Sequence, residues 1–237
     1  EEFRTQVHSR VYHPMRKQLY LDLSRCSNVI DVSALSEVHI LNLSYCKNIN
    51  NVSALGRVHT LNLNFCYDIT DVSALGGVHN LKLNSCNVSD VSALGGVHTL
   101  DLSVPQNSYS SLITDVSALG GVHTLNLSGS WSLTDVSALV GVHNLNLSKC
   151  PNITDVSALG GVHTLSLMGC SEITDVSALG GVHTLNLSLC NKITDVSSLG
   201  GVHTLNFSGC SNIIDVSALG GVHILNLWRC NKVTDVS

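Results

Sequence analysis

Apolar positions return along this chain at a fixed interval. A unit such as Val122-His123-Thr124-Leu125-Asn126-Leu127-Ser128 appears, in some version, eleven times, and most steps between copies are 20 residues. Within each copy leucines alternate with polar residues, as in Leu41/Leu43, Leu61/Leu63, Leu125/Leu127 and Leu185/Leu187. This period of two predicts a short strand with both leucines inward and the residues between them outward. The first such strand is expected over residues 19–24. Each strand's neighbour is the same strand one unit on, so the sheet is expected to be parallel. Rungs ~4.8 Å apart then give a body on the order of 50 Å long.

The return to the next strand is Ile-Thr-Asp-Val-Ser-Ala-Leu-Gly-Gly, nine residues and too short for a long helix. Val72 and Leu75 are three apart, which predicts one 3₁₀ turn with both side chains inward. Asp71 precedes that turn and is placed to accept from its first free N–H groups, with Ser73 doing so more weakly. Ser36 and Val140 replace the first glycine of the pair, and Glu37 and Arg57 the second. These replacements argue against a strict positive φ at either site. A short period with fixed apolar positions marks a solenoid. One coil offers too little apolar surface to stand alone, and stacking must supply the rest.

Two coils depart from the period. Between Cys86 and Asp90 one residue is missing, and after Leu102 five extra residues enter in Ser-Val-Pro-Gln-Asn-Ser-Tyr-Ser-Ser. A polar, Pro-containing insertion predicts a loop. That coil has no Cys, and the following one carries Ser130 beside Trp131. Residues 1–18 do not fit the period and predict an N-terminal cap or lead-in, with Val7, Val11, Tyr12 and Met15 placed to cover the first layer. The solenoid is expected over 19–237, its last coil open, which predicts a native chain that continues. The chain starts at Glu1 without Met, leaving room for a removed leader.

The string Val58-x-x-Leu61-x-Leu63-x-x-Cys66 matches the leucine-rich repeat signature, whose ninth position is Asn or Cys. Over nearly its full length the chain resembles a leucine-rich repeat protein. Cys-x-x-Ile-Thr-Asp is similar to the cysteine-containing repeats of F-box-type adaptors. Ile-Thr-Asp-Val-Ser-Ala-Leu is similar to the internalin return, which carries a short turn in place of a helix. The resemblance implies an α/β-type solenoid, mostly parallel β with short 3₁₀ turns, forming a curved right-handed superhelix of about eleven coils. It implies strands lining a concave face that binds other proteins, and no enzymatic activity.

Composition narrows this further. Hydrophobic residues make up 44% and aromatics only 4%, so the core must be aliphatic layers. Charged residues are 12%, net charge is −5 and no Lys/Arg block appears, which argues against a nucleic-acid partner. No apolar run approaches ~18 residues, so no membrane span is expected. The nine Cys fall at one place in the unit, which reads as a packing column, not a disulfide framework. Free thiols in such numbers point to a reducing compartment, cytosolic or nuclear before secreted.

Three columns invite chemical readings. The ten motif histidines run from His39 to His223. A metal site needs ligands that converge, and a linear ladder does not converge. The expectation is a neutral ladder bonded to neighbouring backbone, with pKa values lowered because adjacent imidazoliums repel. No Cys-x-x-Cys occurs, and inward thiols are inert. The Asp column (Asp31, Asp71, Asp90, Asp115 and onward) supplies one carboxylate per coil, and Asn51 replaces it once, so capping is expected before calcium. No Ser/His/Asp constellation, P-loop or paired acid/base motif appears, so neither catalytic residues nor a cofactor nor a metal is expected.

The outward strand positions of the middle coils are monotonous, as in Thr124, Asn126 and Ser128, and stacked Asn are expected to bond to one another along the rungs. Departures cluster in the early coils. Tyr20, Asp22, Arg25, Ile40, Tyr45, Phe65, Lys82 and Asp101 are expected to face outward there, with Tyr67 close by. Exposed aromatics interleaved with charge make Tyr20, Arg25, Tyr45, Phe65, Tyr67, Lys82 and Asp101 candidate protein-binding residues. The competing reading is drift in less regular coils. Ile224, Trp228 and Arg229 form a second cluster at the open end, where a cap is expected to meet them. The functional expectation is a recognition scaffold for an unidentified protein ligand, bound on the concave face or the strand-end edge. The alternatives are a module that self-associates end to end through open termini, and a regular-surface ice binder using the Thr column.

Overall fold

The leucines of the repeat do build one parallel sheet. The computed structural model describes residues 19–105 and 112–234. Among them eleven three-residue strands, β1 (Tyr20–Asp22) to β11 (Ile224–Asn226), pair in strict sequence order. Register never slips: Leu21 lies opposite Leu41, Leu61 opposite Leu81, Leu205 opposite Leu225. The expected strand over 19–24 is narrower, with regular pairing confined to Tyr20–Asp22. The second leucine of each pair sits just beyond the strand yet stays inside, as Leu43 and Leu63 do. The cap or lead-in expected over 1–18 lies outside the described residues, as does part of the insertion after Leu102.

The return path is a 3₁₀ turn in every coil, from Ser33–Leu35 to Ser217–Gly221. Leu75 N–H donates to Val72 O at 2.9 Å, and both side chains are buried, as their spacing predicts. Asp71 Oδ1 accepts from Ser73 N–H at 2.9 Å, and every described column Asp, along with Asn51, engages the residue two ahead. The carboxylate thereby satisfies a donor left free at the start of the turn. These bonds hold Asp71, Asp90, Asp115, Asp135, Asp155, Asp175 and Asp195 below the usual carboxylate range, the largest cause at Asp71 being the Ser73 hydroxyl and at Asp155 the Ser157 N–H.

Neither glycine of the pair has a positive φ, in line with the replacements seen elsewhere in the column. Space constrains both instead, and the first more tightly in most coils. A β-carbon on Gly76 would stand 2.3 Å from the Ala93 carbonyl oxygen of the next coil. Glycine here permits close stacking of the 3₁₀ turns.

The core is a single continuous cluster of Leu, Val, Ile and Cys columns running the length of the rod, with Phe207 as its one buried aromatic. The cysteines are more than filler. Eight of the nine place Sγ 3.0–3.3 Å from a carbonyl of the preceding coil, as Cys66 Sγ does with Leu43 O at 3.1 Å. Each thiol thus donates across the coil boundary. Burial pushes these thiols up, to about 11 at Cys66 and about 12 at Cys86, Cys150 and Cys190. All nine cysteines are free, and Cys26 alone is exposed.

Candidate functional site

Two ladders border the strands. At their start the ten histidines stack ring on ring, with centroids 4.5–4.8 Å apart. The expectation of ring-to-backbone bonds is corrected here. Where ring nitrogens find partners, Nδ1 meets the hydroxyl of the following Thr, as at His59–Thr60 (3.2 Å) and His183–Thr184 (3.3 Å). The bonds between coils are made by the backbone: His59 N–H and Thr60 N–H both donate to His39 O. Loss of solvation, then the charges of flanking histidines, lowers the pKa of His143 and His183. Among the described residues no group of three or more metal-ligating side chains converges.

The strand-end asparagines also differ from expectation. Asn62 Oδ1 accepts from Asn64 N–H at 3.0 Å, Asn126 Oδ1 from Ser128 N–H at 3.1 Å, and Asn186 Oδ1 from Ser188 N–H at 3.0 Å. Each closes a local turn within its own coil instead of bonding along the rungs. The donor two residues ahead is always present and correctly placed, so it outcompetes a neighbour one coil away.

That local turn sets up the second ladder. Three residues past the strand, in every described coil but the one that holds Val104, the backbone enters the left-handed region: Arg25 (φ 62°), Tyr45 (63°), Phe65 (62°), Ser85 (61°), Lys149 (59°), Leu189 (64°) and Arg229 (61°). Gly129, Gly169 and Gly209 hold the same place in other coils, also with positive φ. Arg25, Tyr45 and Phe65 were expected among the outward strand positions. They lie beyond the strand, in this turn, and project along the strand-end edge. The signal available in the sequence was the glycine at 129, 169 and 209, which marks the column as one that demands positive φ.

The candidate residues separate into two groups. Arg25, Tyr45, Phe65 and Tyr67 form one continuous array on the edge. The Arg25 guanidinium lies 5.1 Å from the Tyr45 ring centroid, Tyr45 and Phe65 stack at 4.5 Å and 12°, and Phe65 meets Tyr67 edge-on at 6.4 Å. Tyr45 and Tyr67 remain exposed, at 37% and 44%. Tyr20, Lys82 and Asp101 lie on the sheet itself. Tyr20 is exposed and its hydroxyl lies 3.3 Å from Asp22 Oδ2, while Lys82 on β4 (Asn80–Lys82) stands opposite Asp101 on β5 (Thr99–Asp101). At the far end Ile224 and Trp228 are exposed, and the Arg229 guanidinium lies 4.1 Å from the Trp228 ring.

A groove of about 700 Å³ opens beside the aromatic array. Val104 and Gly129, small members of the edge column, line it between Phe65 and Lys149. Sequence reasoning did not find this groove, since it depends on which side chains the left-handed turn aligns.

A parallel sheet ordered by sequence, 3₁₀ returns and the Leu-x-Leu columns together define the leucine-rich repeat fold. Solved structures agree. The chain is similar to an internalin, inlF, from Listeria monocytogenes, with a TM-score of 0.56 and 18% identity over 87% of this chain and 83% of that one. It is similar to the functional domain of InlJ from the same organism, described as including a cysteine ladder, with a TM-score of 0.61 and 20% identity over 92% of this chain and 55% of that one. A third likeness is to TLR13 in a complex with ssRNA13, with a TM-score of 0.56 and 18% identity over 83% of this chain and 37% of that one. Neither a protein-family model nor a curated protein matches the sequence.

Proposed function

We propose that this chain is a non-enzymatic recognition scaffold that binds a protein ligand along its strand-end edge. The observation that carries this reading is the Arg25–Tyr45–Phe65–Tyr67 array. A left-handed backbone costs a side-chain-bearing residue roughly 1–2 kcal/mol. Three successive coils accept that strain to present large, partly exposed side chains, where later coils use glycine in alternate positions. Aromatic and Arg side chains are the groups that dominate protein interfaces. Tyr20, Lys82 and Asp101 extend the surface onto the concave sheet.

The test is a pull-down with the parent chain and with a Tyr45→Ala/Phe65→Ala double variant. A partner bound saturably by the parent and lost by the variant, with thermal unfolding little changed, supports the reading. Absence of any saturable protein ligand counts against it. A second reading is end-to-end association, in which the near-identical coils of one copy continue the parallel sheet of another. Light scattering that rises with concentration would favour it. Nine free thiols fit a reducing compartment for either role.

A further inference from the structure

We infer that the partner offers this edge an extended acidic segment, with an apolar side chain seated in the groove between Phe65 and Lys149. The inference rests on the scaffold reading and names the chemistry of its ligand. Two independent observations carry it: how charge is sorted within the coil, and how the groove is bounded.

The chain as a whole is acidic, with a net charge of −5. Its charges are not mixed. Eight Lys and Arg fall within the described residues, and six of them (Arg25, Lys47, Lys149, Lys192, Arg229 and Lys232) belong to the turns that follow the strands. Only Arg57 and Lys82 lie elsewhere. The Asp column sits at a different corner, just before each 3₁₀ turn. On the strand-end turns the described acids are Asp68 and Glu172, and Glu172 is bonded to Lys192 at 2.6 Å. An acidic rod therefore carries a basic edge, and it is the edge with the aromatic array. Such a field draws in a negatively charged partner and orients it.

The groove gives that partner a seat. Its lining includes Phe65, Asn84, Ser128, Asn146, Lys149 and Met168. Phe65 closes it toward the early coils, while Lys149 and Met168 close it toward the later ones. Its volume of about 700 Å³ and its mixture of apolar walls with amide and hydroxyl groups suit a bound side chain with its flanking peptide. Arg25 and Lys47 lie on one side of it along the rod, and Lys149 on the other. A segment crossing the coils would thus place carboxylates at both ends of an apolar anchor. A nucleic acid fits less well. It needs a continuous track of cations for successive phosphates, and here the cations are coils apart with Asp68 and Glu172 among them.

The experiment measures binding of fluorescein-labelled poly(Glu,Tyr) copolymer to the full chain by anisotropy. Poly(Lys,Tyr) and a single-stranded oligo-dT serve as comparison probes. Saturable binding of poly(Glu,Tyr) is expected, weakened about tenfold or more by high salt and by Lys47→Glu/Lys149→Glu. Tyr45→Ala/Phe65→Ala should weaken it comparably. If the charge-reversed chain fails to fold by circular dichroism, Lys47→Gln/Lys149→Gln takes its place. No binding of poly(Glu,Tyr), or binding indifferent to the lysine changes, overturns the inference. Oligo-dT binding as tightly also overturns it, in favour of a polyanion site. If the acidic probe fails while a pulled-down partner still depends on Tyr45 and Phe65, the scaffold reading survives and only the acidic ligand falls.

Discussion

Leu189 fills the space that a side chain on Gly209 would need. A β-carbon built on Gly209 would stand 2.7 Å from Leu189 Cδ2, and Gly209 itself has a φ of +80°. The same pairing recurs one step earlier, where Lys149 Cγ lies 3.5 Å from the β-carbon position of Gly169. Late coils therefore alternate a large left-handed residue with a glycine beneath it. The expected outcome is that Gly209→Ala destabilises by about 1–2 kcal/mol. In the background of Leu189→Ala the steric part of that cost should disappear, leaving a coupling of about 0.5 kcal/mol or more. Urea unfolding of the parent, both single variants and the double variant measures it. Strict additivity would show that the two positions do not touch.

Ser130 holds a place where most coils have cysteine, and it is fully buried with no partner for its hydroxyl. Cys150, one coil on, donates to Leu127 O at 3.3 Å. The corresponding acceptor for residue 130 is the carbonyl of Leu102. A thiol, with its longer bond to Cβ, is suited to reach that carbonyl. Removing an unsatisfied buried polar atom is worth about 1–3 kcal/mol. Ser130→Cys is therefore expected to raise the urea midpoint, and a midpoint unchanged or lowered would contradict the cross-coil thiol donor.

Periodicity made part of this molecule legible and hid the rest. Leu61, Val72 and Leu75 disclosed strand, turn and core because each recurs in a column of like chemistry. Asp71 was legible as a cap for the same reason. The left-handed turn was not, because Arg25, Tyr45, Phe65 and Ser85 share no side-chain chemistry and share only a backbone angle. The thiol bonds escaped because a cysteine column looks apolar, although Cys66 donates a hydrogen bond. Asn126 was misread along the rungs because stacking in sequence said nothing of the nearer N–H at Ser128. Of the candidate site, the residues were legible singly, but their division into an edge array and a sheet group was not.

The column Asp residues are expected to tolerate Asn and not Ala. Asn51 already occupies the column, and its Oδ1 accepts from Ser53 N–H at 3.0 Å, as Asp155 Oδ1 does from Ser157 N–H at 2.9 Å. Asp155→Asn keeps the acceptor and should leave the melting temperature nearly unchanged. Asp155→Ala frees the Ser157 N–H and should lower it by about 2–4 °C. Equal losses in the two variants would mean that charge, and not the turn bond, is what the column supplies.

Stability should fall in two separate acid steps. His143 and His183 have folded pKa values below 6.5, from lost solvation first and then from neighbouring imidazoliums. A base with a depressed folded pKa prefers the neutral form in the native state. Its contribution is therefore complete above the unfolded value near 6.5 and is lost as pH drops from there toward the folded value. The column carboxylates from Asp71 to Asp195 are depressed below 3.8 by their Ser partners, so theirs is present above that value and lost as pH falls through the folded pKa. The urea midpoint should thus decline as pH falls below about 6.5, level off once the folded histidines have titrated as well, and decline again as the folded carboxylates protonate, below the ordinary Asp value of about 3.9. Replacing His143 and His183 with Gln should flatten the first step and leave the second in place. A midpoint constant from pH 7.5 to 5 in the parent would show that the stacked rings titrate alike in the folded and unfolded chains.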